Sequence, residues 1–477
     1  MLRKTGFVSS RAYIPRVTVD VPRTRFAVRR FGIVLAAGLA LFSMAAQSAG
    51  ADPDGPVGAD AVSCSAPGWV GAWAASPGGA QHFIQVDAHS PALVADSYPL
   101  TVPRVIGNDT LRMIVAPEIG GTLVRIHLSN RYGAGPVTFG DVHLGRQSSG
   151  ATLLAGSNTP VTFSGANDVT VAAGQDVVSD PVAVAVQPFD RLAVSFHVPV
   201  PDVAPTYHWQ TNHTSFVTPP LSGDHAADEG PAAFTDETNS VYYVDGIDVY
   251  APAGTSAVVV LGDSFTNSPA TTFDTESRWP DFLSRRLQSD PRGSKLSVVD
   301  AAISFNFASV GHPNIVGPDL VGIGGPSGLD RFDSDVAAVP GVRAVIVDLG
   351  MNDLAWGVSP HDLIGAYRAL VDKAHSRGLK VIGATLTPTQ DARIPALSYD
   401  LPGVMASRNQ VNDVIRNGGL FDTVIDFDSA VADPANPDHW APGLSPATDN
   451  VHPNDQGAQR EGDTVDIPRL LGLAGCR

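Results

Sequence analysis

Cysteine is almost absent from this chain: Cys64 and Cys476 are the two in 477 residues. No CxxC pair and no HExxH occurs. The usual zinc and iron–sulfur spacings are therefore missing, and no metal or organic cofactor is expected. Basic residues are also scarce, 31 Lys and Arg against 48 Asp and Glu. An acidic surface repels phosphate backbones and anionic headgroups, so a nucleic-acid partner is excluded. The apolar run from Phe31 to Ala46 contains Gly32, Gly38 and Ser43. It falls short of the roughly 20 residues of a membrane span, so no stable membrane insertion is expected.

What the chain does have begins with an asymmetric start. Residues 1–51 hold eight of the 31 basic residues and a single acid, Asp20. A basic region, the apolar run, and Ala49-Gly50-Ala51 together read as a secretory signal peptide cleaved after Ala51. Arg29-Arg30 before Phe31 leaves both the general and the twin-arginine export routes open. Without that segment the body carries 23 basic against 47 acidic residues. In an exported body, one cysteine near each end suggests a disulfide joining the termini, with two separate thiols as the alternative.

From Asp52 to Gly254 the rhythm is that of strands. Val124, Ile126 and Leu128 alternate with Arg125, His127 and Ser129, the period of a half-buried strand. After the turn Asn130–Gly133, Val137–Leu144 resumes it, and Val169–Val171, Val182–Val186 and Arg191–Val198 are further candidates. Many short strands between turn clusters predict a β-sandwich or jelly-roll-like domain over 52–254. Ala251-Pro-Ala-Gly254 reads as a boundary. From 255 to 477 strands alternate with helices. Strands are expected at Ala257–Leu261, Leu296–Val299, Ala344–Leu349, Leu379–Thr385 and Thr423–Phe427. Helices are expected around Trp279–Leu287, Pro360–Ser376, Met405–Arg416 and Gly457–Thr464. This is an α/β pattern, a parallel sheet in a three-layer α/β/α domain.

The chemistry gathers where strands end. Ala257-Val-Val-Val-Leu-Gly-Asp-Ser264 is a buried strand running into small polar residues, and ligands of open α/β sheets sit at such carboxyl edges. Ser264 is placed there as a reactive hydroxyl. A serine needs an imidazole to take its proton, and the imidazole needs a carboxylate to hold its tautomer. Asp449-Asn-Val-His452 supplies both on one loop. Gly350-Met-Asn352, after the third strand, offers a side-chain N–H to an oxyanion.

In this order and at these strand ends, the blocks resemble the SGNH hydrolase superfamily, the GDSL esterases and lipases, over about Ala257 to Thr464. Trp69–Pro77 and Leu123–Asn130 resemble exported bacterial members with an N-terminal β-domain. The resemblance implies a flavodoxin-like catalytic domain and a carboxylester hydrolase. It makes Ser264 the nucleophile, His452 the base and then acid, and Asp449 the orienting acid. It puts Asn352 and the Ser264 N–H in the oxyanion hole, and it makes Asp263 and Asp353 turn and hydrogen-bonding residues. The implied substrates are acetyl or short acyl esters of carbohydrates, small alcohols or phenols.

One block departs from the family pattern. In Asp300-Ala-Ala-Ile-Ser304-Phe305-Asn306, Phe305 stands where the family usually has the glycine that gives the remaining oxyanion N–H. Phenylalanine keeps that N–H, but its ring crowds a position that is strained if φ is positive. Phe305 is thus a pocket wall or a sign of weakened activity. Gly311–Gly328 is long for a connection and is either a specificity lid or a passive insertion; His312 within it is a solvated loop residue. Trp69, Trp73 and Tyr207-His-Trp209 are packing residues or a sugar-stacking surface. Two other functions compete: a binding protein on a hydrolase scaffold, supported by Phe305 alone, and an acyltransferase using the same serine.

Overall fold

The computed structural model describes residues 64–80, 106–201, 205–293, 295–309, 324–393 and 398–476. The expected leader at 1–51, His312 and most of the Gly311–Gly328 stretch lie outside those residues.

Two large antiparallel sheets and a third of three short strands, Val241–Tyr242, Thr206–His208 and Gly79–Ala80, form the described β-rich part. Its long strands are β1 (Gly68–Ala74), β2 (Asp109–Val115), β3 (Val124–Ser129), β4 (Val137–Ser149), β5 (Leu192–Val198) and β6 (Val244–Ala251). One sheet runs β1-β6-β3 with Asp176–Val178 at its edge. The other runs Asp236–Thr238, Ser215–Val217, β2, β5, β4, Thr152–Leu153. In β3 the alternation holds as far as Leu128, with Val124, Ile126 and Leu128 buried and Arg125 and His127 half-buried, but Ser129 is buried too, its hydroxyl donating to Asp176 Oδ1 at 2.6 Å. These residues share one core with Phe139, Leu144, Phe196 and Ile247 from the neighbouring strands. The Phe139 ring meets Phe196 and Tyr243 edge-on at 5.6 and 5.0 Å, the arrangement aromatic quadrupoles favour. Val182–Val186, expected as a strand, makes only isolated bridges, Val124 with Val182 and Gly121 with Val186. The Val184 N–H turns back onto the Val182 carbonyl at 2.9 Å, and this three-residue turn interrupts the ladder.

Pairing changes from antiparallel to parallel between Ala251 and Ser256. The parallel strands are β7 (Ser256–Gly262), β8 (Leu296–Asp300), β9 (Val342–Asp348), β10 (Lys380–Ala384) and β11 (Thr423–Ile425). Their order in the sheet is β8-β7-β9-β10-β11, the flavodoxin-like order. β7 is buried on both faces, as a central parallel strand must be. Val258 and Val260 pack under Trp279, Leu283 and Leu287. Ala257, Val259 and Leu261 belong to the core that continues into the β-rich part. Each buried valine or leucine among them contributes about 1.5–3 kcal/mol by its burial.

The helices used below are α1 (Ser264–Asn267), α2 (Trp279–Ser289), α3 (Pro360–Ser376), α4 (Pro402–Asn417) and α5 (Asp455–Thr464). α3 has the ends its sequence signals: the Ser359 hydroxyl accepts from the Asp362 N–H, and Gly378 takes φ 72° just past the end. The last strand is shorter than expected, because the Asp426 carboxylate accepts from the Ser429 N–H and starts a helix over Phe427–Val431. Helices at Gly328–Phe332 and Ile467–Ala474 were not expected; the first continues into a π-turn over Asp333–Ala337.

Both parts lie in one compact unit, Val57–Arg477. The Gly71 N–H of β1 donates to the Pro340 carbonyl at 2.8 Å. A Cβ on Gly71 would strike the Val339 side chain, so only glycine permits the approach. Cys64 and Cys476 form a disulfide with an S–S distance of 2.08 Å, closing a sequence separation of 412 residues. Among the described residues no helix is long and apolar enough to cross a membrane.

Candidate active site

Ligands of a doubly wound sheet bind where the strand order reverses, here between β7 and β9. β7 ends at Gly262, whose Cβ position is filled by the Thr266 side chain, so no larger residue fits this turn. Asp263 then caps α1, its Oδ1 accepting from the Phe265 N–H at 2.9 Å. Ser264 is the first residue of α1. No described group accepts its backbone N–H, one of those that a helix start leaves without an intrahelical partner.

The structure brings the three expected residues together. His452 Nε2 lies 2.9 Å from Ser264 Oγ, and His452 Nδ1 lies 2.8 Å from Asp449 Oδ2. A carboxylate only accepts, so Nδ1 carries the proton and Nε2 is left to accept from the serine hydroxyl. Ser264, Asp449 and His452 are all buried. Asp449 Oδ1 also accepts from the Val451 and His452 N–H groups at 2.6 and 3.0 Å, so one side chain sets both the loop's curve and the ring's direction. The Phe265 ring lies 5.5 Å from the imidazole and closes its flank.

Phe305 has φ 64°, in the left-handed region where a bulky residue costs about 1–3 kcal/mol. The surroundings hold it there. Asn306 Nδ2 donates to the Gly324 and Pro326 carbonyls, and Asn306 Oδ1 accepts from Arg331 Nε at 3.0 Å. The Asp353 carboxylate accepts from the Ala308 and Ser309 N–H groups at 2.8 and 3.0 Å. The Phe305 N–H donates to no other described group. Its ring stacks on Trp209 with centroids 5.9 Å apart and planes 17° apart.

Asn352 sits on the short helix Met351–Ala355 after β9. Its Nδ2 donates to Asp263 Oδ2 at 3.0 Å and to the Asn306 carbonyl at 2.9 Å, so both of its N–H bonds are engaged. Its Oδ1 accepts from the Tyr399 hydroxyl. Burial and the neighbouring Asp348 charge raise the Asp263 carboxyl well above the usual range. Asp348, whose Oδ2 accepts from Thr266 Oγ1 and Trp279 Nε1, is pushed up to about 6 by burial.

Sequence reasoning missed Arg331, Tyr399 and the position of Trp209. Arg331 is fully buried and donates to Asn306 Oδ1, to the Ala301 carbonyl at 2.5 Å and to the Gly262 carbonyl at 3.0 Å, with Asp335 Oδ2 at 3.2 Å. It thereby joins the end of β7 to the 301–306 strap. Nothing in its sequence neighbourhood signals this. Tyr399 lies in a loop with no periodic pattern, and Trp209 reaches the site only through the fold. Of the other aromatics, Trp73 is buried, and Trp69 meets Tyr250 edge-on at 5.5 Å with the Arg125 guanidinium over its ring. Among the described residues no group of three or more His, Cys, Asp or Glu side chains could hold a metal ion.

A flavodoxin-like sheet with serine, histidine and aspartate hydrogen-bonded in series at its carboxyl edge has the form of a serine hydrolase. Residues 260–460 match the GDSL-like lipase/acylhydrolase family. The chain thus carries a GDSL-like lipase/acylhydrolase domain and is a carboxylic ester hydrolase. Similar solved structures include a putative lipolytic protein of the G-D-S-L family from Desulfitobacterium hafniense, at 24% identity. The likeness covers 44% of this chain and 97% of that one, with a TM-score of 0.32. The native aryl esterase of M. smegmatis is 16% identical over 46% of this chain and 100% of its own, with a TM-score of 0.36. A carbohydrate acetylesterase from Sinorhizobium meliloti is 16% identical over 44% and 95%, with a TM-score of 0.34. No curated protein matches the chain.

Proposed function

We propose that this protein is an exported serine esterase that cleaves acetyl or short-chain acyl esters, carbohydrate esters among them, through an acyl-enzyme. The observation that carries this reading is the continuous contact Ser264–His452–Asp449; the Ser264 and Phe305 backbone N–H groups, which donate to no other described group, are the proposed oxyanion donors. The proposed organisation is a signal peptide over 1–51, a β-rich region over 52–254 and a catalytic region over 255–477. The Cys64–Cys476 disulfide supports export to an oxidising compartment.

In this mechanism Ser264 Oγ attacks the ester carbonyl carbon as His452 Nε2 takes the hydroxyl proton. The carbonyl oxygen becomes an oxyanion and is met by the Ser264 and Phe305 N–H groups. Asn352 Nδ2 adds a third donor by turning from Asp263 Oδ2, its partner in the resting site. The intermediate collapses, the carbon–oxygen bond to the alcohol breaks, and His452 returns the proton to the departing oxygen. Water, deprotonated by His452, then attacks the acyl-enzyme and frees the acid and Ser264. Asp449 stabilises the imidazolium in both halves.

The binding-protein alternative draws on Phe305 alone, and the N–H of that residue, which donates to no other described group, favours hydrolysis. Purified protein is tested on 4-nitrophenyl acetate, butyrate and octanoate beside Ser264→Ala. The expected result is hydrolysis by the wild type, fastest on the shorter esters, and none above background in the variant. A folded wild type as inactive as the variant on these and on acetylated polysaccharide sinks the proposal.

A further inference from the structure

We propose that Trp209, from the β-rich part, and Phe305, on the oxyanion strap, form one specificity wall that limits the acyl group, so that the β-rich part completes the active site. The inference rests on the esterase reading and adds to it the residues that set acyl length.

Three observations converge. First, Phe305 lies between Ser304, whose Oγ accepts from Asn267 Nδ2 of α1 at 3.3 Å, and Asn306, whose carbonyl accepts from Asn352 Nδ2 at 2.9 Å, and its own N–H donates to no other described group. Second, that ring is half-buried and stacked nearly parallel on Trp209, which is half-buried too. Third, the segment bearing Trp209 is fastened to the nucleophile's own helix and the turn after it. Asn267 Nδ2 donates to the Gln210 carbonyl at 2.9 Å, and Asn212 Nδ2 donates to the Ser268 carbonyl at 3.0 Å. Thr214 N–H and Oγ1 donate to the Asp274 carboxylate at 2.8 and 2.7 Å. Trp209 is therefore held in fixed register with Ser264 by buried hydrogen bonds.

The side of the ester that meets the wall follows from the reaction geometry. The departing oxygen must lie at His452 Nε2 to receive its proton, and the carbonyl oxygen lies at the two N–H groups. The remaining substituent is the acyl chain, and it extends past the residue that carries the Phe305 N–H. Two stacked rings there leave room for a chain of few carbons. A positive-φ position that could have been glycine holds a strained phenylalanine instead, and strain of this kind persists where function uses it.

The test measures kcat/KM for 4-nitrophenyl acetate, butyrate and octanoate with wild type, Trp209→Ala, Trp209→Phe and Phe305→Gly. A second series holds acetate fixed and varies the alcohol. The octanoate-to-acetate ratio is expected to rise about 10-fold or more in Trp209→Ala and in Phe305→Gly, the scale on which pocket walls discriminate by chain length. The double variant should gain little beyond either single one, and Trp209→Phe should keep the wild-type ratio. If Trp209→Ala fails to fold, Phe305→Gly carries the same expectation, since glycine suits φ 64°. An unchanged ratio in folded variants, or a shift confined to the alcohol series, overturns the wall while leaving the esterase standing. Wild-type protein inactive on every ester overturns both.

Discussion

Replacing Arg331 by methionine removes the cation that joins the end of β7 to the 301–306 strap. Its guanidinium is buried and serves four acceptors: the Gly262 and Ala301 carbonyls, Asn306 Oδ1 and Asp335 Oδ2. Methionine fills most of the volume but supplies no donor, so Ala301 and Asn306 lose this contact while the Gly262 carbonyl keeps the Ile303 N–H at 3.1 Å. Breaking a buried ion pair usually costs about 3–5 kcal/mol. Asp335 keeps Arg131 Nη1 at 3.1 Å, which sets the expectation at the lower end, about 3 kcal/mol. Urea unfolding followed by fluorescence reads this as a midpoint lowered by about 1 M, taking a slope of about 3 kcal/mol per M. Arg331→Lys restores a charge without the planar fork and should fall between the two. Because Asn306 loses its Arg331 contact, ester hydrolysis by the methionine variant should drop through kcat. A midpoint shift under about 0.3 M with kcat unchanged would refute the view that Arg331 holds the strap.

Other expectations follow from single contacts. Cys64→Ser should lower stability by about 2–4 kcal/mol, read as a lower melting temperature that reductant no longer affects. Burial raises the folded Asp348 carboxyl to about 6, above its unfolded value near 4, so the folded state binds its proton more tightly. Stability from this group is therefore present below pH 4 and is lost as pH rises to about 6, by roughly 3 kcal/mol. Asp348→Asn should flatten that part of the stability profile relative to wild type; an identical pH dependence contradicts the assignment. Tyr399→Phe removes the hydroxyl that Asn352 Oδ1 accepts from, and kcat for acetate should fall about tenfold with KM little changed. Equal losses in both parameters would mean a general packing role.

The parallel sheet and the meeting of Ser264, Asp449 and His452 were legible in the sequence because local signals and position in the fold coincide there. Val258, Val259 and Val260 form a run that suits a strand buried on both faces, and Gly262 marks the only residue type its turn accepts. The capped ends of α3 are equally explicit in Ser359, Pro360 and Gly378. Val182–Val186 misled because its alternation is real but its backbone turns on itself. The strain at Phe305 was visible as a question, since a phenylalanine stood at a glycine's place, and φ 64° answers it. The contacts of Arg331, Tyr399 and Trp209 were invisible for a different reason. Each depends on segments far apart in the chain, and no short pattern encodes a meeting of that kind.

The central claim is that Ser264 carries the acyl group. Intact-protein mass spectrometry after exposure to an excess of an alkyl fluorophosphonate, followed by peptide mapping, tests it most directly. The account predicts one adduct per chain, located on Ser264, with esterase activity lost in proportion to labelling and no adduct on Ser264→Ala. Full hydrolytic activity with Ser264 unlabelled, or a folded Ser264→Ala that still hydrolyses acetate at the wild-type rate, would contradict it.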